Sequence, residues 1–220
     1  MVNIKISDEI KEKCKGVCLG CIEADVEIDD GSEELWNIIN KKSSEIQKSV
    51  KADEILKLPN IASSRNAYKR IGKDPSRYRL SSESLLKRIV KGLGLYKVNN
   101  VVDISNFISF TSGFSVCTYD LDKVKGEILF SIGKVGETYN GIGRGAINLE
   151  KLPVFEDELG KFGSTTSDSE RTMVTKATKH ILINIISFDG EEQLKDYMEY
   201  AVEFLEKYAD GKAIEIKIIK

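Results

Sequence analysis

At 220 residues the chain is long enough to bury a core of its own, and the natural reading is one domain. Thirty-three basic against thirty-five acidic side chains leave a formal net charge of −2, which excludes a general nucleic-acid coat protein but not a local basic patch. No apolar run is long enough to span a bilayer, and Met1-Val2-Asn3-Ile4-Lys5 lacks a signal-peptide core, so a soluble cytoplasmic protein with no membrane partner is expected.

Taken in order, Ser7 to Lys15 is a short charged helix, and Val17 to Ile28 alternates as a strand before the turn Asp29-Asp30-Gly31. Cys14, Cys18 and Cys21 cluster while Cys117 stands alone. No fourth ligand lies near the three, and the only histidine, His180, sits in an apolar run, so reduced, buried cysteine is expected and no metal site. On a strand, Cys18 and Cys21 point to opposite faces. Ser32 to Val50 has the spacing of an amphipathic helix (Leu35, Trp36, Ile39, Ile46), with Ser32 as cap and Glu33-Glu34 favourably placed in the first turn. Ala52 to Leu58 continues helical until Pro59.

The most basic stretch follows. Between Arg65 and Lys91 nine basic residues stand against two acids, Asp74 and Glu83. One reading is a charged surface with a few structural arginines; the other is a docking surface for phosphate. Under the second, Arg70, Arg77 and Arg79, with Lys73 beside them, are the RNA contacts, because a guanidinium grips phosphate in a fork. Ser82 to Val90 reads as a helix capped by Ser81 or Ser82 and stopped by Gly92 and Gly94.

From Asn99 to Ile108, polar residues interrupt an apolar run. Val102, Ile104, Phe107 and Ile108 fit a short helix about as well as a strand, and Asn99-Asn100 supplies a cap. Asp103, Ser105 and Asn106 either satisfy backbone donors or line a site. Glu127 to Ile132 is a strand. Gly141, Gly143 and Gly145 alternate around Ile142 and Arg144, without the spacing of a dinucleotide fingerprint. They suit a turn or bulge from which Arg144 reaches a carboxylate or phosphate. Leu152 to Phe155 is a strand. Gly163 to Thr172 is a run of hydroxyl and charged groups that forms either a surface loop or a polar pocket wall. Lys179 to Phe188 and Ala213 to Ile219 are strands flanking the amphipathic helix Glu191 to Tyr208. The expected fold class is α+β: a single domain over 1–220 of mixed β-sheets with flanking helices. It divides into a strand–helix part (1–60), a motif-bearing core (61–190) and a closing helix and strand (191–220).

The order NNVVDISN (99–106), Gly113, YDLDK (119–123) and Gly136-Glu137 resembles the editing domain of the phenylalanyl-tRNA synthetase beta subunit, and more specifically the free-standing B-three/four domain proteins built from it. RIGKDPSRYR (70–79), GIGRG (141–145) and SDSERT (167–172) extend the resemblance over Ser63 to Phe188. In that family the domain hydrolyses phenylalanine tRNA mischarged with tyrosine. The resemblance implies that Ser105 and Asn106 are catalytic. It also implies that Cys117, Tyr119, Asp120, Glu137, Gly143, Arg144, Ser167, Asp168, Glu170, Arg171 and Thr172 bind substrate. Two departures stand out: Cys117 occupies the place of a family histidine, and the chain reads Ser164-Thr165-Thr166-Ser167 where the family has a glycine pair and an acid just before the serine of its last motif. A site that lacks its partner for a tyrosine hydroxyl loses that specificity, so the substrate does not carry over with the fold.

A single histidine excludes most histidine-based acid–base schemes, and the absence of a phosphate-binding loop argues against a complete aminoacyl-tRNA ligase. No cofactor is expected. Two functions fit the remaining Asn, Ser, Cys, Asp, Glu and Arg groups. One is trans-acting hydrolysis of a mischarged aminoacyl-tRNA, an ester already activated toward water. The other is a non-catalytic module binding a free amino acid or related metabolite. The partner is the aminoacylated acceptor end of a tRNA in the first case and the free amino acid in the second, with no DNA in either.

Overall fold

The computed structural model describes residues 1–220. Its centre is a fully antiparallel sheet in the order β10-β2-β9-β3, formed by β2 (Cys18–Asp25), β3 (Ser115–Asp120), β9 (His180–Ser187) and β10 (Lys212–Ile219). Strand alternation sends the two faces of this sheet into different cores. Ile22, Ala24, Val116, Ile181, Ile183 and Ile185 join a cluster with the helices, whereas Leu19, Cys21, Cys117, Tyr119, Leu182 and Ile186 join a second cluster with another sheet. Cys18 and Cys21 fall in opposite cores, as strand geometry requires, and all four cysteines are buried and free.

The second sheet has the order β1-β4-β7-β8, from β1 (Ile4–Ile6), β4 (Ile128–Ile132), β7 (Pro153–Asp157) and β8 (Gly160–Ser164). β1 pairs parallel with β4, and the other pairs are antiparallel. Aromatic side chains weld the two sheets: the Tyr119 ring meets Phe162 edge-on at 4.7 Å and Phe155 at 5.7 Å. A β-hairpin of β5 (Thr138–Gly141) and β6 (Gly145–Asn148) stands apart as a two-stranded unit.

Six helices complete the fold: α1 (Asp8–Lys13), α2 (Glu33–Ser49), α3 (Pro59–Ile71), α4 (Ser81–Val90), α5 (Asn100–Ser112) and α6 (Leu194–Tyr208). Ser32 caps α2 by accepting from the Leu35 amide at 3.1 Å, with Glu33 and Glu34 in the first turn, as its sequence predicts. No helix is long and apolar enough to cross a membrane.

Three expectations need correction. Pro59 does not stop a helix but opens α3, because a missing amide costs nothing in a first turn. The preceding segment forms only a 3-10 turn at Ile55–Lys57. Neither Ser81 nor Ser82 caps α4; Leu80 stands at the cap without a side-chain bond, and both serine hydroxyls are buried without a partner.

The stretch from Asn99 to Ile108 is the helix α5, packed between β3, α4 and α6. Asn99 caps it through the Val102 amide at 2.9 Å. Asn100, fully buried, donates to the Glu27 and Tyr208 carbonyls and accepts from the Asp29 and Val101 amides, so all its polar capacity serves the fold. Asp103 accepts from Trp36 Nε1 at 2.9 Å and from the Val98 amide at 3.1 Å, joining α2 to the entry of α5. Burial pushes this carboxyl up to about 6, against the two donors that favour its charged form.

Candidate functional site

Two adjoining cavities, about 530 and 360 Å³, open beside α4 and share Arg79, Ser84 and Arg144. The first is lined further by Ser76, Arg77, Tyr78, Ala146, Ile147, Asn148 and Thr166, and the second by Ala52, Lys87, Arg88, Lys91 and Leu93. Six cations and no carboxylate line the pair. Arg77, Arg79 and Arg144 are exposed and form neither an ion pair nor a side-chain hydrogen bond, unlike most charged residues of this chain. Guanidinium groups crowded without counter-charge hold a positive potential that water screens only in part, which is the electrostatic requirement for an anionic ligand.

The arginines stand where they do because their loops are fixed. Arg65 on α3 reaches Glu83 Oε2 at 2.8 Å and the Pro75 carbonyl at 3.0 Å, pinning the loop that carries Arg77 and Arg79 against α4. Lys73, turned inward, donates to the Glu150 carbonyl and lies over the Tyr78 ring at 3.5 Å. Arg144 rides the tip of the β5–β6 hairpin, where Gly143 (φ 65°) and Gly145 (φ 68°) take left-handed conformations that a larger residue would resist.

Behind Thr166 lies a compact polar network. The buried Tyr68 hydroxyl bonds the Thr165 hydroxyl and, at 3.0 Å, the Thr166 hydroxyl. The Tyr139 hydroxyl donates to the Ser167 carbonyl at 2.5 Å, tying the hairpin to the 164–169 loop. The Asp168 carboxylate turns inward, accepting from the Tyr119 hydroxyl at 3.1 Å and from the Ser164 amide at 3.3 Å. Burial lifts Asp168 to about 7, although both donors favour the ionised form. Burial also raises the Cys117 thiol and the Tyr119 hydroxyl well above their usual ranges, so neither supplies an anionic nucleophile at neutral pH.

The sequence model of the B3/4 domain matches residues 63–210, about two thirds of the chain, and takes in both cavities' arginines and the polar network. The chain belongs to the B3/4 domain family. Similar proteins include the phenylalanine–tRNA ligase beta subunits of Fusobacterium nucleatum (27% identical over 139 residues, 62% of this chain and 17% of that one) and Moorella thermoacetica (31% over 113 residues, 50% and 14%). The chain thus spans less than a fifth of the length of these curated relatives. An N-terminal fragment of the phenylalanyl-tRNA synthetase beta subunit from Pyrococcus horikoshii aligns with 99% of this chain and 50% of its own, at 14% identity and a TM-score of 0.49.

In this B3/4 domain the expected site residues do not converge on one pocket. Ser105 is buried on α5, donating to the Val101 carbonyl at 2.9 Å and bonding Thr118 at 2.6 Å. Thr118 and Cys117 are neighbours on β3 and face opposite ways, so Ser105 lies across the sheet from Cys117, Tyr119 and Asp168. Asn106, half-buried, makes no side-chain hydrogen bond and lines neither cavity. Of the residues assigned to substrate, only Arg144 borders the first cavity, with Gly143 beside it at the hairpin tip.

Several others serve the fold. Arg171 grips the buried Asp157 with two bonds of 2.8 and 3.0 Å and also donates to the Lys123 and Gly160 carbonyls. Asp120 accepts from Thr178 at 2.8 Å and pairs with Lys123 at 3.1 Å. Glu137 accepts from the Lys134 amide and approaches Lys161, and Thr172 is buried beneath β8. Glu170 is exposed, and Ser167 acts chiefly through its carbonyl. Among the basic residues, Arg77 and Arg79 stand in the cavity, while Arg70, exposed on the last turn of α3, lines neither cavity. Lys73 is 7% exposed and committed to Glu150 and Tyr78, so it is a fold residue.

The sequence does not single out Ser84, and it marks Thr166 only as part of the 163–172 run and of the departure at 164–167. Ser84 is the one small polar group on the cavity side of a basic helix, and Thr166 lies at the centre of the 163–172 hydroxyl run. Both signals were visible but pointed to no particular ligand.

Proposed function

We propose that this B3/4 domain hydrolyses, in trans, the ester of a mischarged aminoacyl-tRNA, holding the phosphates of the acceptor end with Arg77, Arg79 and Arg144 and the ester near Thr166 and Ser84. The observation that carries the reading is the first cavity itself: three arginines without partners, no carboxylate, and the neutral hydroxyls of Ser76, Ser84 and Thr166, the last joined to the Tyr68 network. The names of the curated relatives, beta subunits of a tRNA ligase, and the motif resemblance support the same substrate.

The chemistry asks little of the protein. Water attacks the ester carbonyl, the bond from the carbonyl carbon to the ribose oxygen breaks, and that oxygen leaves with a proton. Aminoacyl esters are activated enough for positioning to carry much of the rate, with the neighbouring ribose hydroxyl and the Thr166 and Ser84 hydroxyls orienting the water. Arginines around the site stabilise the negative charge that develops on the carbonyl oxygen. A free amino acid is a poorer fit. Its single carboxylate matches one of the arginines, and its ammonium meets a cavity that has no carboxylate to receive it.

The test is a deacylation assay of the purified protein against a panel of correctly and incorrectly charged tRNAs, with the Arg79→Gln/Arg144→Gln variant beside it. Release from a mischarged species, lost in the variant, supports the reading. Absence of release from every member of the panel overturns it.

A further inference from the structure

The second cavity runs from the shared residues Arg79, Ser84 and Arg144 along α4 to Lys87, Arg88, Lys91 and Leu93. At its far end the chain turns through residues 92–98, which expose three apolar side chains in a row of seven: Leu93 (61%), Tyr96 (69%) and Val98 (51%). Exposed apolar groups clustered this closely are uncommon on a surface that serves only solvation.

Tyr96 is exposed but not loose. Arg88 donates to the Gly94 carbonyl at 3.1 Å and the Leu93 carbonyl at 3.4 Å, and its guanidinium lies 4.1 Å from the Tyr96 ring centroid. One arginine therefore lines the basic cavity, ties down the loop and backs one face of the tyrosine. The opposite ring face has no aromatic or cationic partner in the fold. A held aromatic face at the end of a cationic trough is the arrangement that binds single-stranded nucleic acid, where cations follow the phosphates and an unpaired base stacks on the ring. The interior bases of a duplex cannot use the ring, because both their faces are already stacked on neighbours.

We infer that the second cavity and Tyr96 form an extension of the site for an unpaired RNA segment: Arg79 and Lys91 follow the backbone, and Tyr96, braced by Arg88, stacks one base, while Lys87 stays paired with the buried Glu83. This inference rests on the proposed function and adds to it a place on this chain, the Tyr96 ring, where one unpaired base of the ligand stacks. The small net charge of −2 agrees with such a local mode, since contact is confined to one trough.

The experiment measures fluorescence anisotropy of two labelled RNAs: a short single strand ending in CCA and a blunt hairpin of equal charge. The proteins are the wild type, Tyr96→Ala, Tyr96→Phe and Arg79→Gln. The expected result is tighter binding of the single strand by the wild type, a loss of about 5- to 100-fold in Tyr96→Ala, near-full retention in Tyr96→Phe, and no change of Tyr96→Ala on the hairpin. If Tyr96→Ala binds the single strand like the wild type while Arg79→Gln is impaired, the stacking platform is overturned and the phosphate-binding cavity stands. Equal binding of hairpin and single strand by the wild type likewise overturns the inference. If neither RNA binds any of the proteins, the inference falls together with the reading on which it rests.

Discussion

One guanidinium nitrogen of Arg65 donates both to Glu83 Oε2, at 2.8 Å, and to the Pro75 carbonyl, at 3.0 Å. The Glu83 carboxylate is 1% exposed and takes a second cation, Lys87, one helical turn further on. A fully buried acid in the middle of a basic stretch is therefore the anchor that orders its neighbours: it faces inward and leaves the arginines of the cavity without a counter-ion. Removing one partner of such a pair leaves the other charge uncompensated. Glu83→Ala should destabilise the protein by about 3–5 kcal/mol in urea unfolding. A near-normal midpoint would mean that water replaces the carboxylate and that the loop is held by other contacts.

The cavity arginines should behave in the opposite way. Arg77→Gln, Arg79→Gln and Arg144→Gln remove exposed charges that have no partner in the fold, so each is expected to shift the unfolding midpoint little. Each should weaken binding of tRNA and reduce the slope of log affinity against log salt by about 0.7–0.9, the contribution of one phosphate contact. Titrations at four or five salt concentrations would measure this. Parallel lines for wild type and variant would remove that arginine from the phosphate contacts.

Much of the fold follows from local patterns. The Ser32 cap and the opposite faces of Cys18 and Cys21 both depend on neighbours in sequence. The site was less legible because it depends on register between distant strands. Cys117 and Thr118 differ by one position, yet β3 sends one toward Asp168 and the other toward Ser105 on α5, and no local pattern says which face will hold a cavity. Arg171 and Lys73 show the same limit. Each belongs to a motif that suggests ligand binding, and each finds its partner in a segment at least 14 residues away: Asp157 for Arg171, and the Glu150 carbonyl for Lys73. The polar interruptions of α5 were legible as anomalies only. Asn100, Asp103 and Ser105 satisfy groups in the loop after β2, at the end of α6, on α2 and on β3, which the structure alone identifies.

Asp168 ties the stability of the network to pH. Its folded pKa, raised to about 7 by burial, lies above the usual carboxylate value of 3.8, so the folded state binds more protons than the unfolded state between those limits. Its contribution is fully present below about pH 4 and is lost as pH rises through 7. Asp103, raised to about 6 by burial, acts in the same direction over a narrower window. Asp168→Asn keeps an acceptor for the Tyr119 hydroxyl but cannot ionise. The variant should gain stability relative to the wild type on going from pH 5 to pH 8, by roughly 2 kcal/mol once partial exposure is allowed for. Urea unfolding at a series of pH values would show it, and a constant difference across the series would mean that Asp168 is ionised throughout.

Gly163 lies against the same network. A methyl group built there would overlap the Tyr119 hydroxyl and ring, and its neighbours Phe162 and Ser164 are fixed in β8. Gly163→Ala should therefore destabilise by about 1–3 kcal/mol through overpacking. Tyr119→Phe on that background should recover part of the loss by removing the hydroxyl, although it forfeits the bond to Asp168. Equal stability of Gly163→Ala and wild type in thermal unfolding would show that β8 moves away from Tyr119 without cost.

Arg171 separates the fold from the motif. Its two bonds to Asp157 meet a carboxylate whose side chain is 0% exposed, and its remaining donors reach the Lys123 and Gly160 carbonyls, so the side chain has no free donor face toward either cavity. Arg171→Ala should lower stability by about 3 kcal/mol, because the buried Asp157 keeps its charge and loses its partner. Asp157 retains bonds from the Lys125 and Leu159 amides, both at 2.8–2.9 Å, which limits the damage to the loops that Arg171 joins. Deacylation rate and RNA affinity, measured well below the variant's unfolding temperature, should stay within about twofold of wild type. A collapse of the rate in a variant that is still folded would return Arg171 to the substrate-binding role implied by its motif, and would mean that the Asp157 pair opens when substrate binds.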